Sequence, residues 1–262
     1  MAKPKQSRLL VEERRRRILE ILDAQERATV EELVGRFGVS AVTIRGDLDS
    51  LSSVGAVVRS HGGALKRVEA RDEPITVKET LHHAEKARIA QAAVRMIKDG
   101  ETIILDSGTT TAEIARLIKT SEFRSLNVIT NALNIAMELA NLPHVRVIMI
   151  GGLLRQMAYS LVGPSAEHSL RGLHADRVFL GVDGLDPEIG LMTPDLHEAK
   201  LNAIMIEIAR ETVVVADASK FQRRSLSVIA KLDKVNKVIT DDEAPPDLVA
   251  LLRSRNVEVV VV

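Results

Sequence analysis

The sequence contains no cysteine and no tryptophan, one tyrosine and four phenylalanines, so aromatic residues make up only 2 % of its 262 positions. Without cysteine there are no disulfides, no thiolate zinc or iron–sulfur sites and no thiol nucleophile. The scarcity of rings argues against recognition of RNA loops or single strands by base stacking. It also requires an aliphatic core, which the 45 % hydrophobic content can supply. No stretch approaches the ~20 apolar residues of a membrane span. The basic start, MAKPKQSRLLVEERRRR, is not followed by the apolar run of a secretory signal. The expectation is a soluble cytoplasmic protein with no membrane partner. Net charge is absent too, with 36 basic and 36 acidic residues, but the distribution is uneven. Residues 1–67 carry 13 Lys and Arg against 9 Asp and Glu, and the remainder carry 23 against 27. A small basic module on a larger acidic body suits a polyanion-binding head.

The first module reads as helices joined by short turns. In VEERRRRILEILDAQ, Ile18, Ile21 and Leu22 recur at helical spacing. Thr29 precedes VEELVGRFG with Glu32 three residues on, the pattern of a capping box, and Gly38 stops that helix. Ser40 is the next N-cap, and Ile44, Leu48 and Leu51 form the apolar face of a third helix. AVVRSHGGAL then predicts a small β-hairpin. Residues 65–76 are polar, contain Pro74 and read as a linker over 67–76; a long helix is expected over about 77–98.

Two short helices around a tight turn are either a plain packing unit or a helix-turn-helix whose second helix enters a DNA major groove. Groove binding needs an anchored inner face and an outer face with hydrogen-bond donors near the N-terminus. Ile44, Leu48 and Leu51 anchor, while Ser40, Thr43 and Arg45 face outward. Arg45 can reach a guanine edge or a phosphate. The hairpin adds a wing carrying Arg59 and His61, with Gly62 and Gly63 permitting close approach to a sugar–phosphate backbone. The run Arg14–Arg17 is either a set of phosphate contacts or a solvated helix face.

ERRRRILEILDAQERATVEELVGRFGVSAVTIRGDL followed by VRSHGGAL resembles, without a gap over about residues 12–66, the DNA-binding domain of DeoR-type sugar-metabolism repressors. The resemblance implies a winged helix-turn-helix over 1–66 that binds double-stranded operator DNA through Ser40, Thr43, Arg45, Arg59, His61 and Gly62. Gly46 stands where the family usually carries a second arginine. It removes one cation and costs roughly 1 kcal/mol of helix propensity relative to Ala.

Beyond residue 100 short apolar strands alternate with amphipathic helices, the signature of a parallel sheet covered on both faces. DSGTTT follows the first strand and opens a helix. Gly108 allows the turn, and the hydroxyls of Thr109, Thr110 and Thr111 join free N–H groups at the helix N-terminus, a receptor for phosphate. It has neither the lysine of a Walker A loop nor a G-x-G-x-x-G pattern, so a nucleotide is not expected. Asn131, Gly152, Arg155, Asp183, Asp217 and Lys220 fall after other strands, whose carboxyl ends share one edge of a parallel sheet and can converge on one crevice. No histidine pair has metal-ligand spacing, and no metal or cofactor is expected.

DSGTTTAEIARLI, VITNALNIAMEL, MIGGLLR, FLGVDGLDPEIGLMTPD and VADASKF resemble the sensor half of the same repressors. The resemblance implies a Rossmann-like α/β sensor over 77–262, akin to ribose-5-phosphate isomerase, that binds a phosphorylated sugar. Asp106, Ser107, Gly108, Thr109, Thr110 and Thr111 would hold the phosphate, with Asn131, Gly152, Arg155, Asp183 and Lys220 around the sugar. EAKLNAIMIEIARETVVVADASKFQRRSL is similar to repressors of N-acetylgalactosamine use, which points to an amino sugar. A homodimer or homotetramer released from its operator is the implied device. The alternative from another class is a sugar-phosphate isomerase or deaminase with an appended DNA-binding module, which the winged helix disfavours.

Overall fold

Thr29 and Gly38 bracket the second helix as their chemistry dictates. The Thr29 hydroxyl accepts the Glu32 N–H at 3.2 Å, and the Glu32 carboxylate accepts the Thr29 N–H at 2.8 Å. Gly38 takes a left-handed conformation (φ 62°) and its N–H closes the helix on the Val34 carbonyl. The computed structural model describes residues 11–25, 27–53, 57–60, 62–66 and 73–262, and the chain divides into two units, Met1–Val68 and Glu69–Val262.

The first unit runs α1 (Val11–Gln25), β1 (Arg27–Thr29), α2 (Val30–Phe37), α3 (Ala41–Ser53), β2 (Val57–Ser60) and β3 (Gly63–Lys66). Ile18, Leu22, Leu33, Ile44, Leu48 and Leu51 are buried together, joined by Val57 and Ala64 from the wing. The wing has a third strand that the sequence reading lacks: β1 pairs antiparallel with β3, giving the order β1-β3-β2. This corrects the expected role of Gly63. A Cβ there would lie 2.3 Å from the Ala28 carbonyl oxygen, so its missing side chain admits β1, not a phosphate backbone.

The second unit continues α4 (Ile75–Thr80), α5 (His83–Val94), β4 (Thr102–Leu105), α6 (Thr109–Lys119), β5 (Leu126–Thr130), α7 (Leu133–Leu139), β6 (Val145–Met149), β7 (Leu153–Arg155), β8 (Ser160–Val162), α8 (Pro164–Leu170), β9 (Ala175–Leu180), β10 (Gly184–Asp186), β11 (Gly190–Thr193), α9 (Leu196–Ile208), β12 (Ala209–Val215), β13 (Ser227–Ala230), β14 (Lys237–Thr240), α10 (Pro246–Ser254) and β15 (Glu258–Val261). Seven strands form one parallel sheet in the order β15-β14-β12-β9-β4-β5-β6. Alternate residues of each strand enter opposite cores. Ile103, Leu105, Phe179, Val213 and Val215 pack with α5, α6 and α7. Ile104, Val178, Leu180 and Val214 pack with α8, α9 and α10.

The chain winds outward from β4 through β5 and β6, then returns beside β4 at β9 and winds the other way through β12, β14 and β15. The reversal places a topological switch point between β4 and β9. Two departures from the expected elements matter. Ile75, assigned to the linker, is buried at the start of α4. The single helix expected over 77–98 is two helices, broken at Leu81 and His82, where His82 adopts φ 52°. β7, β8, α8 and the antiparallel trio β10-β11-β13 are additions to the alternating pattern.

Candidate functional sites

On the first unit, α3 presents Ser40, Val42, Arg45 and Gly46 outward, while Ile44, Leu48 and Leu51 fix its inner face. The Ser40 hydroxyl accepts the Thr43 N–H at 3.2 Å and lies 2.8 Å from the Thr43 hydroxyl, so it caps the helix whose outer face it shares. Thr43 is half-buried. Gly62 is exposed with φ 85°, at the tip of the wing, and His61 lies outside the described residues.

Two basic positions are paired within the unit. Arg59 is a brace: its Nε donates to Asp49 at 2.8 Å and its Nη1 to the Gly63 carbonyl at 2.6 Å, which ties the wing to α3. Arg14 is neither a phosphate contact nor solvated. It is buried and pairs with buried Asp47 at 2.5 Å, while Arg15 reaches Asp47 at 3.2 Å and Ser50 at 2.9 Å. Asp47 therefore holds α1 against α3.

On the second unit a cleft opens at the switch point. Its floor is the carboxyl ends of three adjacent strands. β4 leads into Asp106–Thr110, β9 into Gly181–Asp183, and β12 into Ala216, Asp217 and Lys220. Arg155 and Met157 line it from the β7–β8 hairpin, Glu198 from α9, and Lys78 from α4 with Lys86 from α5. No side chain caps the N-terminus of α6, whose first residues Thr109 and Thr110 line the cleft.

Nine of the predicted residues are thus brought together: Asp106, Ser107, Gly108, Thr109, Thr110, Arg155, Asp183, Asp217 and Lys220. Three are not among the lining. Thr111 is fully buried, its hydroxyl turned to the Asp106 carbonyl and carboxylate and to the Gly108 carbonyl. Asn131 is buried and donates to the Leu161 carbonyl at 3.2 Å. Gly152 (φ 147°) admits the hairpin, since a Cβ there would stand 2.6 Å from the Val162 carbonyl oxygen.

The cleft is densely charged. Lys78 Nζ donates to Asp183 at 2.6 Å, and Arg155 lies 3.0 Å from Glu198 and 3.6 Å from Asp195. Lys86 is buried and donates to the carbonyls of Lys78 and Leu81, holding the end of α4. Its desolvation lowers its pKa to about 8. Burial raises Asp106 to about 7, against the opposing bonds from Gly181, Thr111 and Gly108. Burial likewise raises Glu198 to about 7 although Arg155 opposes it. Burial lowers Lys220, partly offset by Asp217. In Asp217 burial is outweighed by Lys220, Ser219, His82 and Lys86, so its pKa falls.

The profile of the DeoR-like helix-turn-helix domain matches residues 14–67, and that of the DeoR C terminal sensor domain matches residues 81–242. The chain belongs to the DeoR family. The putative aga operon transcriptional repressor of Escherichia coli O157:H7 is 41 % identical over 253 residues, 95 % of this chain and 93 % of that protein. The glycerol-3-phosphate regulon repressor of Escherichia coli K12 is 30 % identical over 241 residues, 92 % of this chain and 95 % of that one. Among solved structures, ribose 5-phosphate isomerase A of Methanocaldococcus jannaschii aligns with a TM-score of 0.39 at 20 % identity, over 53 % of this chain and 54 % of that one.

This DeoR-family protein is therefore a DNA-binding transcriptional repressor and not an enzyme. The isomerase or deaminase alternative is disfavoured, because the relatives that match this chain over nearly its whole length are named as transcriptional repressors or regulators. Among the described residues no helix is long and apolar enough to cross a membrane. The sequence reading passes over Lys78, Lys86 and Glu198. Lys78 and Lys86 fall within the single long helix expected over about 77–98, which gives them no reason to meet at a site. Glu198 is the third residue of α9, and its N–H donates to the Asp195 carboxylate, so it reads as an ordinary first-turn acid.

Proposed function

We propose that this repressor governs a carbohydrate-utilisation operon and senses a phosphorylated sugar in the switch-point cleft. The observation that carries the reading is the uncapped N-terminus of α6 opening into a cleft lined by Lys78, Lys86, Arg155 and Lys220. A phosphate placed on Ser107–Thr110 meets N–H groups, hydroxyls and the positive end of a helix dipole. Lys220 and Lys78 supply neighbouring cations. Asp183, Asp217 and the Arg155–Glu198 pair then face the hydroxyls or the nitrogen of the sugar. Ser40, Thr43 and Arg45 contact the operator, with Gly62 at the wing tip. The working protein is a cytoplasmic homodimer or homotetramer, and the effector releases it by binding the DNA-incompetent state more tightly.

A thermal-shift screen of the full chain with phosphorylated sugars and amino sugars, each beside its unphosphorylated parent, tests the ligand class. Hexosamine phosphates head the panel because of the resemblance to N-acetylgalactosamine repressors. The expected result is a rise in Tm for a phosphorylated compound and none for its parent, with the same compound releasing operator DNA in a mobility shift. Thr109→Glu sets a carboxylate against the phosphate. It is expected to abolish release while leaving operator binding intact; a variant that still responds moves the ligand elsewhere.

A further inference from the structure

Among the described residues of the first unit, Val42 is the most exposed large apolar side chain, at 76 % against 48 % for Val11. It lies in the first turn of α3, the helix that carries Arg45. A lone apolar residue on a surface is ordinary; what sets Val42 apart is what surrounds it.

The other residues at this end of α3 are committed elsewhere. Ala41 packs against the core of the unit and Ile44 lies inside it. The hydroxyls of Ser40 and Thr43 are 2.8 Å apart, and the Ser40 oxygen also accepts the Thr43 N–H. Hydroxyls so engaged can still meet a phosphate, but a group that donates and accepts alike discriminates poorly among base edges. Asp47 is buried against Arg14, and Asp49 holds Arg59. Gly46, one turn beyond Val42 on the same face, is exposed, and nothing lies within 4 Å of where its Cβ would stand. The side chains left to reach outward from this face are those of Val42 and Arg45, both exposed.

Chemistry decides what each can read. The floor of a major groove presents hydrogen-bonding groups at every base pair and one apolar group, the C5-methyl of thymine. Arg45 carries only donors and answers acceptors, a guanine edge or a phosphate. Val42 has neither donor nor acceptor. Against the polar edge of guanine, cytosine or adenine it would strip water from a group without replacing the bond. Against a thymine methyl it buries two apolar surfaces together. The missing side chain at Gly46 leaves Val42 unobstructed one turn further along the helix. We propose that Val42 is a specificity-determining residue that packs on the C5-methyl group of a thymine in the operator. The proposal rests on the placement of α3 in the major groove under the functional reading, and it adds a base that no polar side chain of the helix selects.

A preferred duplex is first selected from a random DNA library with the full chain. Each of its thymines is then replaced in turn by deoxyuridine, which pairs alike and lacks only the methyl. Affinities of the wild type, Val42→Ala and Arg45→Ala are read by fluorescence anisotropy, with circular dichroism to confirm folding. The wild type is expected to lose about fourfold in affinity at a particular thymine. Val42→Ala is expected to bind the unmodified duplex more weakly by a similar factor, and to lose less than about twofold when that same methyl is removed. A selection that fixes no thymine, a wild type indifferent to every thymine methyl, or a Val42→Ala variant as sensitive to that thymine as the wild type overturns the contact. If Arg45→Ala is weakened in the same assay, the placement of α3 in the groove survives that result. If Arg45→Ala instead binds selected and scrambled duplexes as the wild type does, the groove assignment falls and the proposal with it, which leaves Val42 to a protein partner. Should Val42→Ala fail to fold, the isosteric Val42→Thr takes its place.

Discussion

Arg14 and Arg45 belong to the same basic module, and burial separates their work. Arg14 is enclosed against Asp47, whereas Arg45 is exposed on the outer face of α3. Removing one partner of a buried ion pair leaves the other charge unpaired, at a cost of about 3–5 kcal/mol. Asp47→Ala should therefore destabilise the first unit by about that amount, read as a lower urea midpoint for its unfolding. A loss within experimental error would mean the pair is solvated. Arg45→Ala should leave stability alone and weaken operator binding by roughly 1–3 kcal/mol, with less base discrimination or a smaller salt slope. Fluorescence anisotropy at several salt concentrations separates the two contributions, and unchanged affinity would remove Arg45 from the groove.

At the scale of elements, the recognition helix carries a glycine in its interior. A Cβ at Gly46 would meet nothing within 4 Å, and the residue is exposed. Gly46→Ala should then stabilise the first unit by roughly 1 kcal/mol through helix propensity, seen as a higher midpoint in thermal or urea unfolding. A destabilised variant would show that α3 is not helical through this position. The break between α4 and α5 was hidden in the sequence for a related reason. LHHAEK contains neither Gly nor Pro, so nothing local announces that His82 will turn left-handed. What stabilises the break is a side chain a few residues on: Lys86 reaches back to the Lys78 and Leu81 carbonyls and seals the end of α4. β1 escaped notice because three residues are too few for a period-2 pattern, and only its pairing with β3 defines it.

Across the whole molecule, the cleft couples ligand to pH. Asp106 and Glu198, both raised to about 7, are largely neutral at pH 6 and ionised at pH 8, and Lys86 loses its proton near pH 8. Each of these changes makes the lining more negative as pH rises, which opposes a phosphate dianion. Effector affinity should therefore fall from pH 6.5 to pH 8.5, measurable by calorimetry at the two values; constant or rising affinity would place the phosphate away from these groups. The same groups act on stability. A carboxyl whose folded pKa exceeds its unfolded value binds more protons in the native state between the two, so its contribution to stability declines as pH rises from about 4 to about 7.

Local chemistry sufficed for much of this protein. The capping box at Thr29, the Gly38 stop, the apolar face of α3 and the DSGTT turn are each set within a few residues, so the winged head, the alternating α/β body and nine of the cleft's residues were legible in the chain alone. Tertiary structure decided which polar groups face inward. Asp47 claims Arg14, Asp49 claims Arg59, Asp106 claims Thr111 and the hairpin claims Asn131, all across separations or burial that no spacing rule encodes. The reason is physical: a helix or turn is selected by neighbours in sequence, but the partner of a buried charge is selected by whatever the fold brings within hydrogen-bonding distance once water is excluded.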